Sequence, residues 1–137
     1  MTRHVALLRD INVGGKNKLP MKELKEIFLA AGCANVQSFI QSGNIIFDAK
    51  PALAKKIPAA VSAGIEAGFG LRIPVILRTA GELESALDNN PFLKAGVSED
   101  LLHIMFLAAL PTPDAVATLD PNRSPPDEFS VKGREIY

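Results

Sequence analysis

The residues best suited to chemistry lie where an apolar run stops, in Leu7-Leu8-Arg9-Asp10-Ile11-Asn12-Val13-Gly14-Gly15-Lys16-Asn17-Lys18. A glycine pair beside amides and cations can turn successive backbone N–H groups toward an anion, and a helix starting just downstream adds its positive end. Arg9, Asn12, Gly14, Gly15, Lys16 and Asn17 are therefore candidate ligand-binding residues, with Lys18 contributing charge. A second polar cluster, Gln41-Ser42-Gly43-Asn44, offers amides and a hydroxyl, which adds Gln41, Ser42 and Asn44 to the set. The competing reading is a strand-to-helix turn whose glycines solve a backbone problem and whose lysines are solvated. On the binding reading the ligand class implied is a small anionic or phosphate-bearing molecule.

Stronger motifs fail. A Walker A loop needs GxxxxGK followed by Ser or Thr, whereas here Asn17 follows Gly15-Lys16 and Asp10 takes the first glycine's place. No dinucleotide GxGxxG is present, and Ser42 lacks the G-x-S-x-G elbow of a hydrolase nucleophile. The two histidines, His4 and His103, each fall in an apolar segment read as a strand, with no acid partner in view, so packed or edge positions are expected. Glu99-Asp100 reads as a solvated pair in a loop. No metal-ligand spacing occurs, no cofactor is implied, and no catalytic residue is assigned.

The elements that must position these residues follow from periodicity. His4–Ile11 reads as a strand, and Met21, Leu24, Phe28 and Ala31 recur at helical spacing over 21–31. Pro20 suits that helix's first turn and Gly32 its left-handed exit. Val36–Gln41 and Asn44–Asp48 flank Ser42-Gly43 as a hairpin. Leu53, Ile57, Val61 and Ile65 form an i,i+4 stripe that Pro58 must kink or restart. Arg72–Arg78 is a further strand, limited by Pro74 to an edge or its beginning.

The order βαββαβ predicts an α+β fold with a ferredoxin-like unit over 1–78, its first and third strands central and its fourth at an edge. In that arrangement the loop after strand one and the hairpin are expected near opposite ends of the sheet, unless a bent strand or the second unit brings them together. From 79 on, a second, incomplete α/β unit is expected through 137, truncated at its C-terminus. It opens with the capping box Thr79-Ala80-Gly81-Glu82 and a helix that Asn89-Asn90-Pro91 closes. A strand over 102–109, a helical stretch near 114–119 and a strand pair around Lys132-Gly133 complete it.

Composition bounds the partners. With 47% hydrophobic and 22% charged residues the chain is an ordinary globular protein, not a disordered one. The lone Cys33 forms no internal disulfide and points to a reducing compartment, and the apolar run at Val5–Leu8 is too short for a signal peptide or membrane span. A cytoplasmic location without membrane attachment is expected. The net charge of zero hides an asymmetry: residues 1–25 hold six bases against two acids, and residues 82–128 nine acids against two bases. Self-association of the two halves is one consequence, and solvated faces the other. The basic N-terminal quarter leaves room for non-specific nucleic-acid contact, but strand one lacks the aromatic platform of an RNA-binding sheet.

Leu7–Asn17 together with Ile40-Gln41-Ser42-Gly43-Asn44, Asn90-Pro91-Phe92 and Gly133-Arg134-Glu135-Ile136-Tyr137 resembles a mainly bacterial family, the domain of unknown function 1697. The resemblance spans essentially the whole chain and implies ferredoxin-like subunits, but carries no transferable activity. Family members usually continue past the position of Tyr137 into a segment bearing an Arg-Asn-Trp-Asn-Thr motif, and this chain has no Trp. Two functional classes stand beside ligand binding. One is a hydrolase of acyl-phosphate-like substrates, by positional analogy with ferredoxin-like acylphosphatases, although Arg9 precedes the glycines here. The other is a protein-interaction module.

Overall fold

The computed structural model describes residues 1–9, 11–12, 18–39 and 43–137. They form a mixed α+β fold with six α-helices and two antiparallel sheets among the described residues. The chain divides into two compact units, Met1–Glu82 and Leu83–Tyr137.

In the first unit, β1 (Thr2–Leu8), α1 (Met21–Ala30), β2 (Ala34–Phe39), β3 (Asn44–Ala49), α2 (Pro51–Ala54), α3 (Ile57–Phe69) and β4 (Val75–Thr79) follow in order. The sheet runs β2-β3-β1-β4, so the first and third strands are central and the fourth lies at an edge. Alternation dictates which face is buried: His4, Ala6 and Leu8 of β1 align with Phe47, Ile45 and the N-terminal part of β4. Together with Leu24, Phe28, Ile57, Val61 and Ile65 from the helices, the apolar members of that face build the core. A Cβ on Gly64 would come within 2.9 Å of Ile27, so glycine lets α1 and α3 approach closely.

Local chemistry explains most boundaries. β1 ends at Leu8, earlier than the expected Ile11, and Ile11 is instead a buried side chain beyond the strand. Pro20 caps α1 with extended geometry, its carbonyl accepting from the Leu24 N–H, rather than sitting within the first turn. The apolar stripe broken by Pro58 resolves into two helices, with Pro58 in the first turn of α3 where no backbone donor is needed.

α4 (Ala80–Asp88) spans the division between the units in sequence. Its capping box is complete: the Thr79 N–H donates to Glu82 Oε1 at 3.0 Å and the Glu82 N–H to Thr79 Oγ1 at 3.1 Å. The second unit continues with α5 (Pro91–Lys94), capped by the buried Asn90, a 3₁₀ turn at Glu99–Leu101, β5 (Met105–Phe106), α6 (Pro113–Ala117), β6 (Val131–Lys132) and β7 (Glu135–Ile136). Its sheet order is β5-β7-β6. The strand expected over 102–109 shrinks to two residues because its partner β7 is only two residues long, and a strand extends only where a ladder exists. Tyr137 is buried, its hydroxyl donating to the Ala86 carbonyl at 2.8 Å.

Candidate functional site

The register of the first sheet decides which polar segments meet. Leu7 pairs with Asn44 and Leu8 with Val75, and the Leu8 N–H donates to the Gly43 carbonyl at 2.9 Å. The exit of β1, the end of the β2–β3 hairpin and the start of β4 therefore share one end of the sheet. This corrects the expectation that the loop and the hairpin lie at opposite ends. Strand direction is the reason: β2 runs antiparallel to β3 and β3 antiparallel to β1, so the hairpin returns to the end where β1 leaves off.

Two anchors fix this end. Gly43 has φ +82, and a Cβ there would stand 2.6 Å from the Leu8 carbonyl oxygen and 3.1 Å from Ile11 Cδ1 and Cγ1. Glycine is thus required both by the turn and by the approach of β1. Ile11, 1% exposed, packs over it and ties the post-β1 segment to the hairpin.

The second anchor is Asn12, at φ +54 in the left-handed region that Asn tolerates better than most side chains. Its carboxamide bridges the loop: Nδ2 donates to the Leu19 carbonyl at 2.9 Å, and the Leu19 N–H donates to Oδ1 at 2.9 Å. Nδ2 also lies 3.9 Å from the Met21 sulfur. Asn12 thus reproduces a two-point backbone pairing and closes the base of the loop on the buried Leu19, two residues before α1 begins.

Of the remaining candidates, Arg9 is exposed directly beyond Leu8, and Asn44 is half-buried in β3, paired in register with Leu7 and Phe39. Gly14, Gly15, Lys16, Asn17, Gln41 and Ser42 lie outside the described residues. Lys18 is exposed next to Leu19, and among the described residues no side chain makes a capping hydrogen bond at the start of α1. Ile11, Leu19 and Gly43 are positioning residues absent from the original set. Gly43 carried a signal, the need for positive φ at the hairpin, whereas the partner of Asn12 had none.

Of the other chemically capable residues, His4, Cys33 and Asp48 are engaged structurally. His4 is 5% exposed, stacked on Phe47 with ring centroids 5.4 Å apart, its Nδ1 2.9 Å from the Thr2 carbonyl oxygen. His103 is exposed and precedes β5 rather than lying in a strand, since that strand is so short. Burial raises the Cys33 thiol from its ordinary 9.0 to about 11, which keeps it protonated and unreactive near neutral pH. Asp48 receives Arg3 through Nε at 3.0 Å and Nη2 at 3.2 Å, and Asn35 Nδ2 at 2.9 Å. These hydrogen bonds hold the carboxyl down to about 2. Among the described residues no group of three His, Cys, Asp or Glu is placed to hold a metal, and no helix is long and apolar enough to cross a membrane.

The family model described as "Protein of unknown function (DUF1697)" matches residues 1–137. Among solved structures, the chain is similar to the conserved bacterial protein SP0830 from Streptococcus pneumoniae, at 35% identity and a TM-score of 0.57. That likeness covers 77% of this chain and 57% of the other, so the chain spans little more than half the length of that protein. No curated protein matches.

Proposed function

The chain belongs to this family of proteins of unknown function, and for this member we propose binding of a small anionic or phosphate-bearing ligand where β1 leaves the first sheet. The carrying observation is the Leu8–Gly43 hydrogen bond, which holds the exit of β1 beside the residue that precedes β3. Arg9, Gly14, Gly15, Lys16, Asn17, Gln41, Ser42 and Asn44 form the proposed binding set, with Asn12 holding the base of the loop. An anion there meets Lys16 and Lys18 within a few residues of the α1 N-terminus, where partial positive charge from unpaired backbone N–H groups adds to the attraction.

The same reading takes the first unit as ferredoxin-like, supported by the β2-β3-β1-β4 order, with residues 1–78 as that subdomain and 79–137 as a second α/β subdomain. The division into Met1–Glu82 and Leu83–Tyr137 supports a boundary close by. A reducing, cytoplasmic setting is supported by the buried free thiol of Cys33.

Titration with inorganic phosphate and simple phosphate monoesters, followed by backbone amide shifts, tests the proposal. Saturable shifts are expected at Arg9, Lys18, Gly43 and Asn44, weakened by Lys16→Ala. Absence of saturation, or shifts confined to other parts of the chain, overturns it.

A further inference from the structure

Phe39 is the last residue of β2 and is 60% exposed. Register places it in a row that crosses the whole first sheet, with Phe39 opposite Asn44, Asn44 opposite Leu7 and Leu7 opposite Ile76. Asn44, Leu7 and Ile76 each adjoin a residue buried in the core, namely Ile45, Leu8 and Val75, so alternation turns the row to the face away from α1 and α3. The row lies at the end where β1 leaves the sheet, and Arg9 follows Leu7 by two residues. An open aromatic ring therefore stands at the end of the sheet assigned to the anion, with Asn44 of the proposed binding set between it and β1. Two strand spacings, about 10 Å, separate Phe39 from Leu7.

We propose, resting on the reading that this end binds a phosphate-bearing ligand, that the ligand is a nucleoside monophosphate whose base stacks on Phe39. Charge and ring select it together. The exposed Arg9 and Lys18 attract the phosphate, a planar base covers a ring of its own size, and the sugar between them spans from the ring toward the exit of β1. A bare phosphate gains nothing from Phe39. The size of the patch favours a small ligand over a protein partner: Gln37, two residues back on the same face, is polar and exposed, and Asn44 separates the ring from the half-buried Leu7. That leaves far less contiguous apolar surface than a protein interface buries, whereas one base needs one ring. Stacking on a phenyl ring is tolerant of base identity, so purines should exceed pyrimidines only through their larger stacking area.

Calorimetric and amide-shift titrations of the chain with adenosine monophosphate, uridine monophosphate, ribose 5-phosphate and adenosine test this. Adenosine monophosphate should bind on the order of tenfold more tightly than ribose 5-phosphate, and should move the amides of Phe39 and Asn44 as well as those of Arg9 and Lys18. Phe39→Ala should abolish that advantage and leave ribose 5-phosphate binding unchanged, and Phe39→Tyr should restore it. The ring is mostly exposed, so both variants should keep the native fold, which circular dichroism verifies. Equal, saturable binding of adenosine monophosphate and ribose 5-phosphate overturns the nucleoside while the anion site stands. An advantage that survives Phe39→Ala overturns the stacking role. Adenosine that binds as tightly as its monophosphate, or no saturable binding of any phosphate, overturns the anion site and this proposal with it.

Discussion

Replacing Asn12 by Ala removes both arms of the bridge to Leu19 at once. Leu19 is 0% exposed, so its freed N–H and C=O have no water to turn to. Leaving a buried polar group unsatisfied costs about 1–3 kcal/mol, which puts the two together at about 2–4 kcal/mol after partial relaxation. Ala also tolerates φ +54 less well than Asn, adding about 1 kcal/mol. Asn12→Gly loses the same hydrogen bonds but not the backbone tolerance, so it should be more stable than Asn12→Ala by about 1 kcal/mol. Asn12→Asp keeps the acceptor for the Leu19 N–H but turns a carboxylate toward the Leu19 carbonyl, and should also destabilise. Urea unfolding at constant m-value measures the free energies, and amide hydrogen exchange reads the bridge directly, since the Leu19 N–H should lose protection. If Asn12→Ala costs under about 0.5 kcal/mol and Leu19 exchange is unchanged, the clamp does not hold the loop and the reasoning fails.

Gly43→Ala forces a Cβ to within 2.6 Å of the Leu8 carbonyl oxygen at φ +82. A cost of at least about 2 kcal/mol is expected, with faster exchange of the Leu8 amide, and an unaltered midpoint would refute the need for glycine. Asp48 titrates about 2 against its ordinary 3.8, so its contribution to stability is present above about pH 4 and lost as pH falls through about 2. The stability gap between the native chain and Asp48→Asn, taken from urea midpoints, should therefore be open at pH 7 and narrowed at pH 2. A gap independent of pH would separate the Arg3–Asp48–Asn35 cluster from acid sensitivity.

Features encoded locally were legible in the sequence. The capping box at Thr79–Glu82, the apolar stripe of α1 and the restart at Pro58 each depend on neighbours a few residues apart, and each formed as its chemistry dictates. Features set by a distant partner were not. Leu102–Ala109 has the apolar content of a long strand, yet the two residues of β7 limit the ladder. Asn12 looked like a ligand-facing amide because its type and its glycine neighbours suit an anion site, whereas its partner is the backbone of Leu19 across the loop. That the exit of β1 and the β2–β3 connection share one end of the sheet was within reach of the sequence, because following strand direction through β1, β2 and β3 settles it. The Arg3–Asp48 contact depends on cross-strand register and had no local signal.

The bridge also changes what the cations on either side can do. Ile11 and Leu19 are buried and Asn12 joins across to Leu19, while Arg9 and Lys18 are exposed beside these fixed points. If the proposed anion binds beside them, it would draw on charges next to backbone that is already anchored, and less of the interaction would be spent on ordering that backbone. Separating the two contributions is a matter of which variant moves which quantity. Lys16→Ala removes charge and should weaken phosphate binding while leaving the Leu19 amide protected. Asn12→Gly removes the bridge and should expose that amide, with binding weakened only through the looser loop. If both variants change affinity with Leu19 protection intact, Asn12 touches the ligand directly and the positioning role assigned to it is wrong.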